Sequence, residues 1–375
     1  PSEPYDPLPM LVPRYWLPVF GWDAAGFTLG ALSSASDVVG LHSWAAELRW
    51  SFGSSSPVYD AAYVGEWIRT PLLLGSGRWI GWAPGVDGVR EEVWTPLRAS
   101  LLVPIRELYH HLSASVGWSG TFYRVLSPPP GPLPLRDGFR SMVAGSLAYD
   151  DTRQYVNSIS RVSGFQAGVA AGVTSPVLGS DYDYAWGEAT WNGYLRFSER
   201  SQWVLALHLA AGVSDGTFGG QYPFTLGGIP SPDVASLLLS ALGFASTGSQ
   251  PNQLRGYASG IFQGSNLLSG TFELRFPIAA PQWGWSTWPI FLRRISGAVF
   301  LDAGNAWVPT AGIPWYDRVR FGTGAEVDLE IVLGFYLPVL LRVGFGQGLG
   351  PLLAPGHPAD PYAGTQVYVT LGESF

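Results

Sequence analysis

The sequence predicts an all-β protein, a 16-stranded antiparallel transmembrane β-barrel with a long loop, at about 215–266, folded into or over its lumen. Its 375 residues are 47% hydrophobic and only 13% charged, about half the charged share of an ordinary soluble domain. The longest apolar runs, such as Ile331–Leu341, are too short to cross a bilayer as a helix. Short segments alternate apolar with polar residues instead, as barrel strands do.

This alternation predicts the strands one by one. Around Glu273, for example, apolar residues alternate with Thr271, Glu273 and Arg275. The predicted strands are 24–34, 42–53, 57–68, 71–82, 90–105, 109–126, 138–150, 164–175, 184–198, 203–214, 267–278, 296–307, 318–330, 339–348 and 365–375. Bacterial single-chain barrels have even strand numbers, so a sixteenth strand is expected, either within 100–150 or at Tyr15–Phe20.

The polar faces of these strands decide between a membrane barrel and a soluble protein. They carry charges of both signs together with small residues. A hydrated interior and a lipid-facing exterior explain this, because a charge facing lipid at the midplane costs about 2–4 kcal/mol. A soluble sandwich with one wet face would alternate in the same way and is the alternative. It rarely needs 17 Trp and 17 Tyr, many of them near strand ends.

The composition also argues against several functions. A net charge of −7 argues against nucleic acid, and the absence of Cys excludes disulfides and thiolate metal sites. The sequence shows no nucleophile elbow, phosphate loop or metal-ligand spacing. We interpret His208 as a hydrogen-bonded wall histidine. The sequence therefore predicts a protein that is not an enzyme and has no metal or cofactor.

The chain is expected to hold one domain. Residues 1–23 are rich in Pro and are interpreted as a lead-in, and 24–375 as the barrel domain. The N-terminus lacks the features of a signal peptide, so we take the chain to be mature or truncated. In the long loop at 215–266, the apolar run Val234–Phe244 suits one short helix. An ordinary ordered loop is the alternative.

Four motifs follow one another towards the C-terminus. They are Gln253–Tyr257 (QLRGY), Gly270–Pro277 (GTFELRFP), Gly297–Trp307 (GAVFLDAGNAW) and Val367–Phe375 (VYVTLGESF). In this order and spacing they resemble the C-terminal barrel of the BamA-like surface-antigen superfamily, which includes outer-membrane protein insertases and two-partner secretion transporters. The resemblance is strongest over about 200–375 and weaker before it.

The resemblance implies a location and a function. The location is the outer membrane of a Gram-negative bacterium, as a multi-pass β-barrel. The function is to assist the insertion or translocation of proteins there. The implied partners are outer-membrane lipids, lipopolysaccharide and client outer-membrane proteins, and no nucleic acid.

The resemblance also implies a contact between the long loop and the barrel wall, in which Asp302 holds Arg255. Alternation places Asp302 and Glu273 on the inner face, and a partly dehydrated contact of arginine with carboxylate is charge-assisted. Gly256 permits a close backbone approach that a Cβ would block, and Tyr257 completes the motif. The alternatives are a solvated loop arginine and an aspartate that belongs to a turn.

The C-terminal strand is expected to close the barrel. Val367, Val369 and Leu371 form its apolar face, and the chain ends on the aromatic Phe375. This pattern resembles the signal that the insertion machinery reads on barrel proteins. Gly372 weakens a strand and favours a bend, which is compatible with a seam that opens between the first and last strands.

The start of the chain bears on the branch of the family. Members that insert or transport proteins carry periplasmic domains before the barrel. Tyr5–Phe20 resembles the entry segment of members whose barrel follows a TolB-like periplasmic propeller, which implies a missing N-terminal periplasmic domain or a separate periplasmic partner. Two other functions remain open. One is a scaffold barrel that anchors periplasmic partners in an outer-membrane complex, and the other is a passive porin.

Overall fold

The structure, a computed structural model, describes residues 5–66, 70–83, 89–106, 110–127, 137–198, 202–229, 252–284, 286–334, 337–352 and 360–371. Nearly all regular structure in these ranges is β-strand. The strands are β1 (Leu17–Asp23), β2 (Gly26–Ser36), β3 (His42–Ser51), β4 (Ser56–Gly65), β5 (Leu72–Trp82), β6 (Arg90–Arg106), β7 (His111–Val125), β8 (Gly138–Asp150), β9 (Ser163–Thr174), β10 (Asp183–Arg196), β11 (Val204–Thr217), β12 (Phe224–Leu226), β13 (Phe262–Gly264), β14 (Asn266–Ala279), β15 (Trp283–Gly284), β16 (Ile290–Trp307), β17 (Arg320–Leu333), β18 (Leu337–Gly350) and β19 (Thr365–Leu371). Short 3-10 turns lie at Leu8–Met10, Pro176–Leu178 and Trp315–Arg318.

The long strands form one antiparallel meander. Each pairs with the next one along the chain, from β1 with β2 to β18 with β19. The meander passes from β11 to β14 and from β14 to β16, so β12, β13 and β15 stand outside it as short additions. Sixteen long strands remain, which confirms the predicted fold class. Within the described ranges, no ladder joins β19 to β1.

The sixteenth strand is β1. It overlaps Tyr15–Phe20, one of its two predicted places, and the other place, within 100–150, is wrong because the strands found there were already among the fifteen. β1 also lies inside 1–23, so strand pairing begins before residue 24. It turns tightly into β2, where the Oδ1 of Asp23 accepts hydrogen bonds from the amides of Ala25 and Gly26 at 2.7 and 2.8 Å.

The two faces of the sheet differ as the alternation predicts. On β16, Phe300 and Asp302 are 3% and 0% exposed, while Val299 and Leu301 are 43% and 45% exposed. Successive side chains of a strand point to opposite faces, so charged and polar groups lie inside and large apolar groups outside. An apolar exterior of this kind suits contact with lipid acyl chains.

No helix among the described residues is both long enough and apolar enough to cross a membrane.

The long connection runs from the end of β11 to the start of β14, over 218–265. Its two arms pair as the small sheet of β12 and β13. The predicted helix at Val234–Phe244 lies outside the described residues, as do Gly372 and Phe375 of the terminal motif, and for Leu371 the structure describes the backbone alone.

Candidate functional site

The candidate site lies on the returning arm of the long connection, in residues 252–261, which we call the loop tip. Backbone hydrogen bonds tie this loop tip to the outgoing arm. The amide of Leu254 donates to the carbonyl of Gly227 at 2.7 Å, and the amide of Gly228 donates to that of Ala258 at 3.0 Å. These bonds pair backbone groups that would otherwise be buried without partners, and they fix the direction in which the tip side chains point.

Apolar packing holds the loop tip against the inner wall. Leu254 and Tyr257 are 0% and 1% exposed. They belong to a cluster that joins the two arms to β11, β14 and β16. Its members are Ala210, Phe224, Leu226, Leu254, Tyr257, Phe262, Leu267 and Ala306. Because apolar burial is the main stabilising term in packing, this cluster keeps the tip inside the barrel.

Arg255 lies between the two apolar side chains of the tip and contacts Asp302 of β16. Its Nε and Nη2 donate to the two carboxylate oxygens at 2.8 and 2.7 Å, and its own amide adds a third bond at 2.9 Å. Thr271 of β14 donates to the same carboxylate at 2.9 Å. The paired guanidinium bonds form a fork that fixes the orientation of both groups.

Two further strands contribute acceptors to Arg255. Its Nη1 lies 2.9 Å from Oε1 of Glu273 on β14 and 3.4 Å from Oε1 of Glu326 on β17. The guanidinium carbon lies 3.4 Å from the ring centroid of Phe300, which adds a cation–π contact. One loop arginine thus joins three neighbouring strands, β14, β16 and β17.

Two of the three carboxylates that accept from Arg255 are also held by wall arginines. Arg275 donates to Glu273 at 2.7 Å, and Arg342 of β18 donates to both oxygens of Glu326 at 2.9 and 2.8 Å. The hydroxyl of Tyr368 on β19 donates to Glu326 at 2.8 Å. The network therefore reaches the last strand. We call the six charged residues the Arg255 cluster: Arg255, Asp302, Glu273, Glu326, Arg275 and Arg342.

Electrostatics keep Arg255 charged although it is only 1% exposed. Burial alone would lower its pKa, but the attraction of Asp302, then of Glu273 and Glu326, raises that pKa well above its ordinary value. A buried charge is tolerated only when it is paired and hydrogen-bonded, and here every part of the guanidinium has a partner.

Glycines let the backbone of the tip lie directly on the wall. Gly256 has φ +96°, and a Cβ there would lie 2.3 Å from the amide nitrogen of Gly348. From the wall side, a Cβ on Gly322 would lie 2.1 Å from the carbonyl oxygen of Arg255, and one on Gly346 would lie 2.6 Å from the Gly256 nitrogen. The left-handed φ and the close contacts both exclude a larger residue.

Tyr257 fixes the other side of the tip. Its hydroxyl donates to the carbonyl of Phe321 at 3.2 Å and accepts from the amide of Gly350 at 2.9 Å. Burial raises the pKa of this hydroxyl. The tip is thereby bonded to β17 and β18 as well.

The structure brings together the residues predicted for the loop-to-wall contact, Arg255, Asp302 and Glu273, with Gly256 and Tyr257 beside them. That the contact serves function stays a prediction.

Glu326, which also accepts from Arg255, was not predicted as a site residue from the sequence. In the terminal motif, Val367 and Val369 are 77% and 48% exposed, and their role as an insertion signal stays a prediction.

The side chain of His208 contacts that of Asn192 at 2.6 Å and, on the loop tip, that of Asn252 at 3.0 Å.

Among the described residues, no three His, Asp or Glu side chains converge as metal ligands. The carboxylates of the Arg255 cluster face arginines, and the interactions seen there are ion pairs and hydrogen bonds.

The comparisons with known proteins agree with this geometry. The Omp85 superfamily domain matches residues 98–350, more than half of the chain. The chain belongs to the Omp85 superfamily. This confirms the relationship inferred from the four motifs, whereas the propeller branch stays a prediction. No curated protein matches this Omp85 chain.

Solved structures show the same fold at low sequence identity. The chain is similar to BamA from Haemophilus ducreyi lacking POTRA domains 1-3, with a TM-score of 0.61 at 14% identity over 94% of this chain and 68% of that one. For CdiB from Escherichia coli the TM-score is 0.59 at 13% identity, over 96% of this chain and 62% of that one. CdiB from Acinetobacter baumannii gives 0.50 at 12% identity, over 90% and 56%. This Omp85 chain thus spans about two thirds or less of those proteins.

Proposed function

We propose that this Omp85 barrel lies in the bacterial outer membrane and assists the insertion or translocation of proteins there. Its superfamily membership and its fold support this function. The observation that carries it is the loop tip, which crosses to the inner wall and is held at Arg255 by carboxylates from β14, β16 and β17.

The arrangement suits a barrel that inserts or translocates proteins, because the charged groups of the wall stay in place while the loop tip can detach. Glu273 and Glu326 keep cationic partners when Arg255 leaves, since Arg275 and Arg342 remain beside them. Asp302 keeps the hydrogen bond from Thr271. The loop tip can therefore dock and undock without leaving every acidic group unpaired. Tyr368 links the same cluster to β19, so we expect undocking of the loop tip to affect that strand. Outer-membrane lipids, client proteins and a periplasmic partner are the partners that this function requires.

The first test replaces Arg255 by alanine in a strain whose only copy of the gene carries the variant. Arg255→Ala should leave the barrel in the outer membrane, because residue 255 takes no part in the backbone ladders that pair the sixteen strands. Assembly of client outer-membrane proteins should fall, as measured by their folded fraction on heat-modifiability gels. Arg124→Ala, which removes an exposed arginine of β7, is the matched control.

Normal client assembly with Arg255→Ala would contradict the proposal. Deletion of the gene then separates the alternatives. Loss of a periplasmic partner from the membrane with an unchanged outer-membrane proteome would favour the scaffold. The proposed role needs no chemical reaction, because it relies on the ion pairs and hydrogen bonds of the Arg255 cluster.

A further inference from the structure

The connection between β8 and β9, residues 151–162, is a second segment that folds onto the inner wall. It forms an irregular hairpin of its own. The amide of Arg153 donates to the carbonyl of Ser163 at 2.9 Å, and the amide of Val162 donates back to the carbonyl of Arg153 at 2.8 Å. At its turn, the Ser158 amide donates to the Tyr155 carbonyl at 2.9 Å. We call this segment the strap.

The strap leaves its own strands and lies across their neighbours. Val162 is 2% exposed and packs with Tyr194 of β10 and with Val204 and Ala206 of β11. The guanidinium of Arg161 lies over the ring of Tyr194, 6.0 Å from its centroid. These contacts turn the strap away from β8 and along the inner face towards β14.

Two arginines of β16 hold the far end of the strap. Arg293 donates to the carbonyl of Val156 at 2.7 Å, while Arg294 donates to that of Asn157 at 3.0 Å and to that of Val156 at 3.3 Å. Glu330 of β17 pairs with Arg293 at 2.6 Å and lies 3.5 Å from Arg294. Because β10, β11 and β14 separate β9 from β16 in the meander, the strap bridges that whole stretch of wall.

The strap meets the Arg255 cluster from the side opposite to the long loop. Ser160 is 4% exposed and lines a cavity of about 20 Å³ together with Arg275, Glu326 and Arg342. Along β16, Arg294 precedes Asp302 by eight residues, a distance of about 26 Å at ~3.3 Å per residue. The loop tip thus reaches the cluster from one end of the barrel, and the strap reaches it from the other.

We propose that the strap closes the lumen of this barrel, as a second segment besides the loop tip. Arg293 and Arg294 are the positioning residues that hold it in place. A polypeptide could enter the lumen at the end of the barrel where the β8–β9 connection lies and move along the inner face of β14, β16 and β17. It would have to displace the strap before it reached Arg255. The client in that statement rests on the proposed function, whereas the closure itself does not.

The test uses the purified full chain, whose lack of native cysteine allows single thiols to be placed. Ser160→Cys reports the covered side of the strap. Val156→Cys reports an exposed position, since Val156 is 79% exposed. A bulky hydrophilic maleimide should label Ser160→Cys at least roughly tenfold more slowly than Val156→Cys, because it reacts only when the strap opens locally.

Releasing the arginines should open the strap. In the Arg293→Met and Arg294→Met double variant, labelling of Ser160→Cys should rise by roughly tenfold, since charge-assisted hydrogen bonds are among the strong ones. Glu330→Gln is the matched control. It removes the carboxylate but keeps the bonds to the strap carbonyls, so labelling should stay slow. If the double variant does not reach the folded band on a heat-modifiability gel, the two single variants are used.

Two outcomes would overturn the inference. Equal labelling of Ser160→Cys and Val156→Cys in the otherwise unchanged chain would show that the strap does not cover the wall. Unchanged slow labelling after loss of the arginines would show that they do not hold it. Labelling is measured without client proteins, so a failure of the proposed function would leave this result unaffected.

Discussion

The charge of Arg255 is central to the site, because three buried carboxylates share it. Arg255→Met keeps the length of the apolar stem but leaves three buried carboxylates without their shared cation. Removal of one partner from a buried ion pair costs about 3–5 kcal/mol. Hydrogen exchange at the amides of the loop tip, 252–261, should therefore become faster by about two to three and a half orders of magnitude, since each 1.4 kcal/mol is about tenfold. Mass spectrometry of peptides from this range measures it.

Arg255→Lys is the matched variant at the same position. It keeps the positive charge but loses the planar fork that pairs with both oxygens of Asp302. Exchange at the loop tip should lie between that of the unchanged chain and that of Arg255→Met. Equal exchange in all three proteins would show that apolar packing alone holds the tip.

At the scale of elements, the long connection is anchored at two separate places on the barrel wall. On the outgoing arm, Nε2 of Gln221 donates to Glu91 of β6 at 3.1 Å. The ring of Phe218 lies 5.1 Å from that of Tyr184 on β10. β6 is the sixth long strand of the meander and β16 the thirteenth, so the connection spans much of the barrel between Glu91 and Asp302.

Gln221→Ala should loosen the outgoing arm without freeing the tip. It leaves the buried carboxylate of Glu91 without this donor, at a cost of about 1–3 kcal/mol. Hydrogen exchange over 218–222 should rise by roughly fivefold to a hundredfold. Exchange over 252–261 should stay unchanged, because the Arg255 cluster is intact. Gln154→Ala, at an exposed glutamine, is the control. Equal loosening of both arms would show that the connection opens as one unit.

The same elements show what a single sequence can predict. Period-two alternation fixes which residues share a face, so Asp302 and Glu273 could be placed inside from pattern alone. β1 was recognised only as an alternative, because Pro18 lacks an amide donor and marks the segment as an edge strand or a linker. Glu326 could not be assigned to Arg255, since lateral proximity depends on the register between β16 and β17. One sequence carries little information about that register.

For the whole molecule, the loop tip and the strap both occupy the inner face, which distinguishes this barrel from an open pore. In planar bilayers, the purified protein should show no large and stable single-channel conductance. Deletion of the loop tip, 252–261, should increase conductance, because it removes the packed cluster and Arg255 together. A large and steady conductance of the unchanged chain would contradict this and favour the passive porin.

The sequence separations within the Arg255 cluster bear on the order in which the barrel forms. Arg255 meets Glu273, Asp302 and Glu326 at separations of 18, 47 and 71 residues. The entropy lost in closing a chain segment grows with its length, and contacts between near neighbours in sequence form fastest. The C-terminal part can thus nucleate around a salt-bridged centre of its own. A contact between β1 and β19 would enclose almost the entire polypeptide and would be the last and slowest to arise.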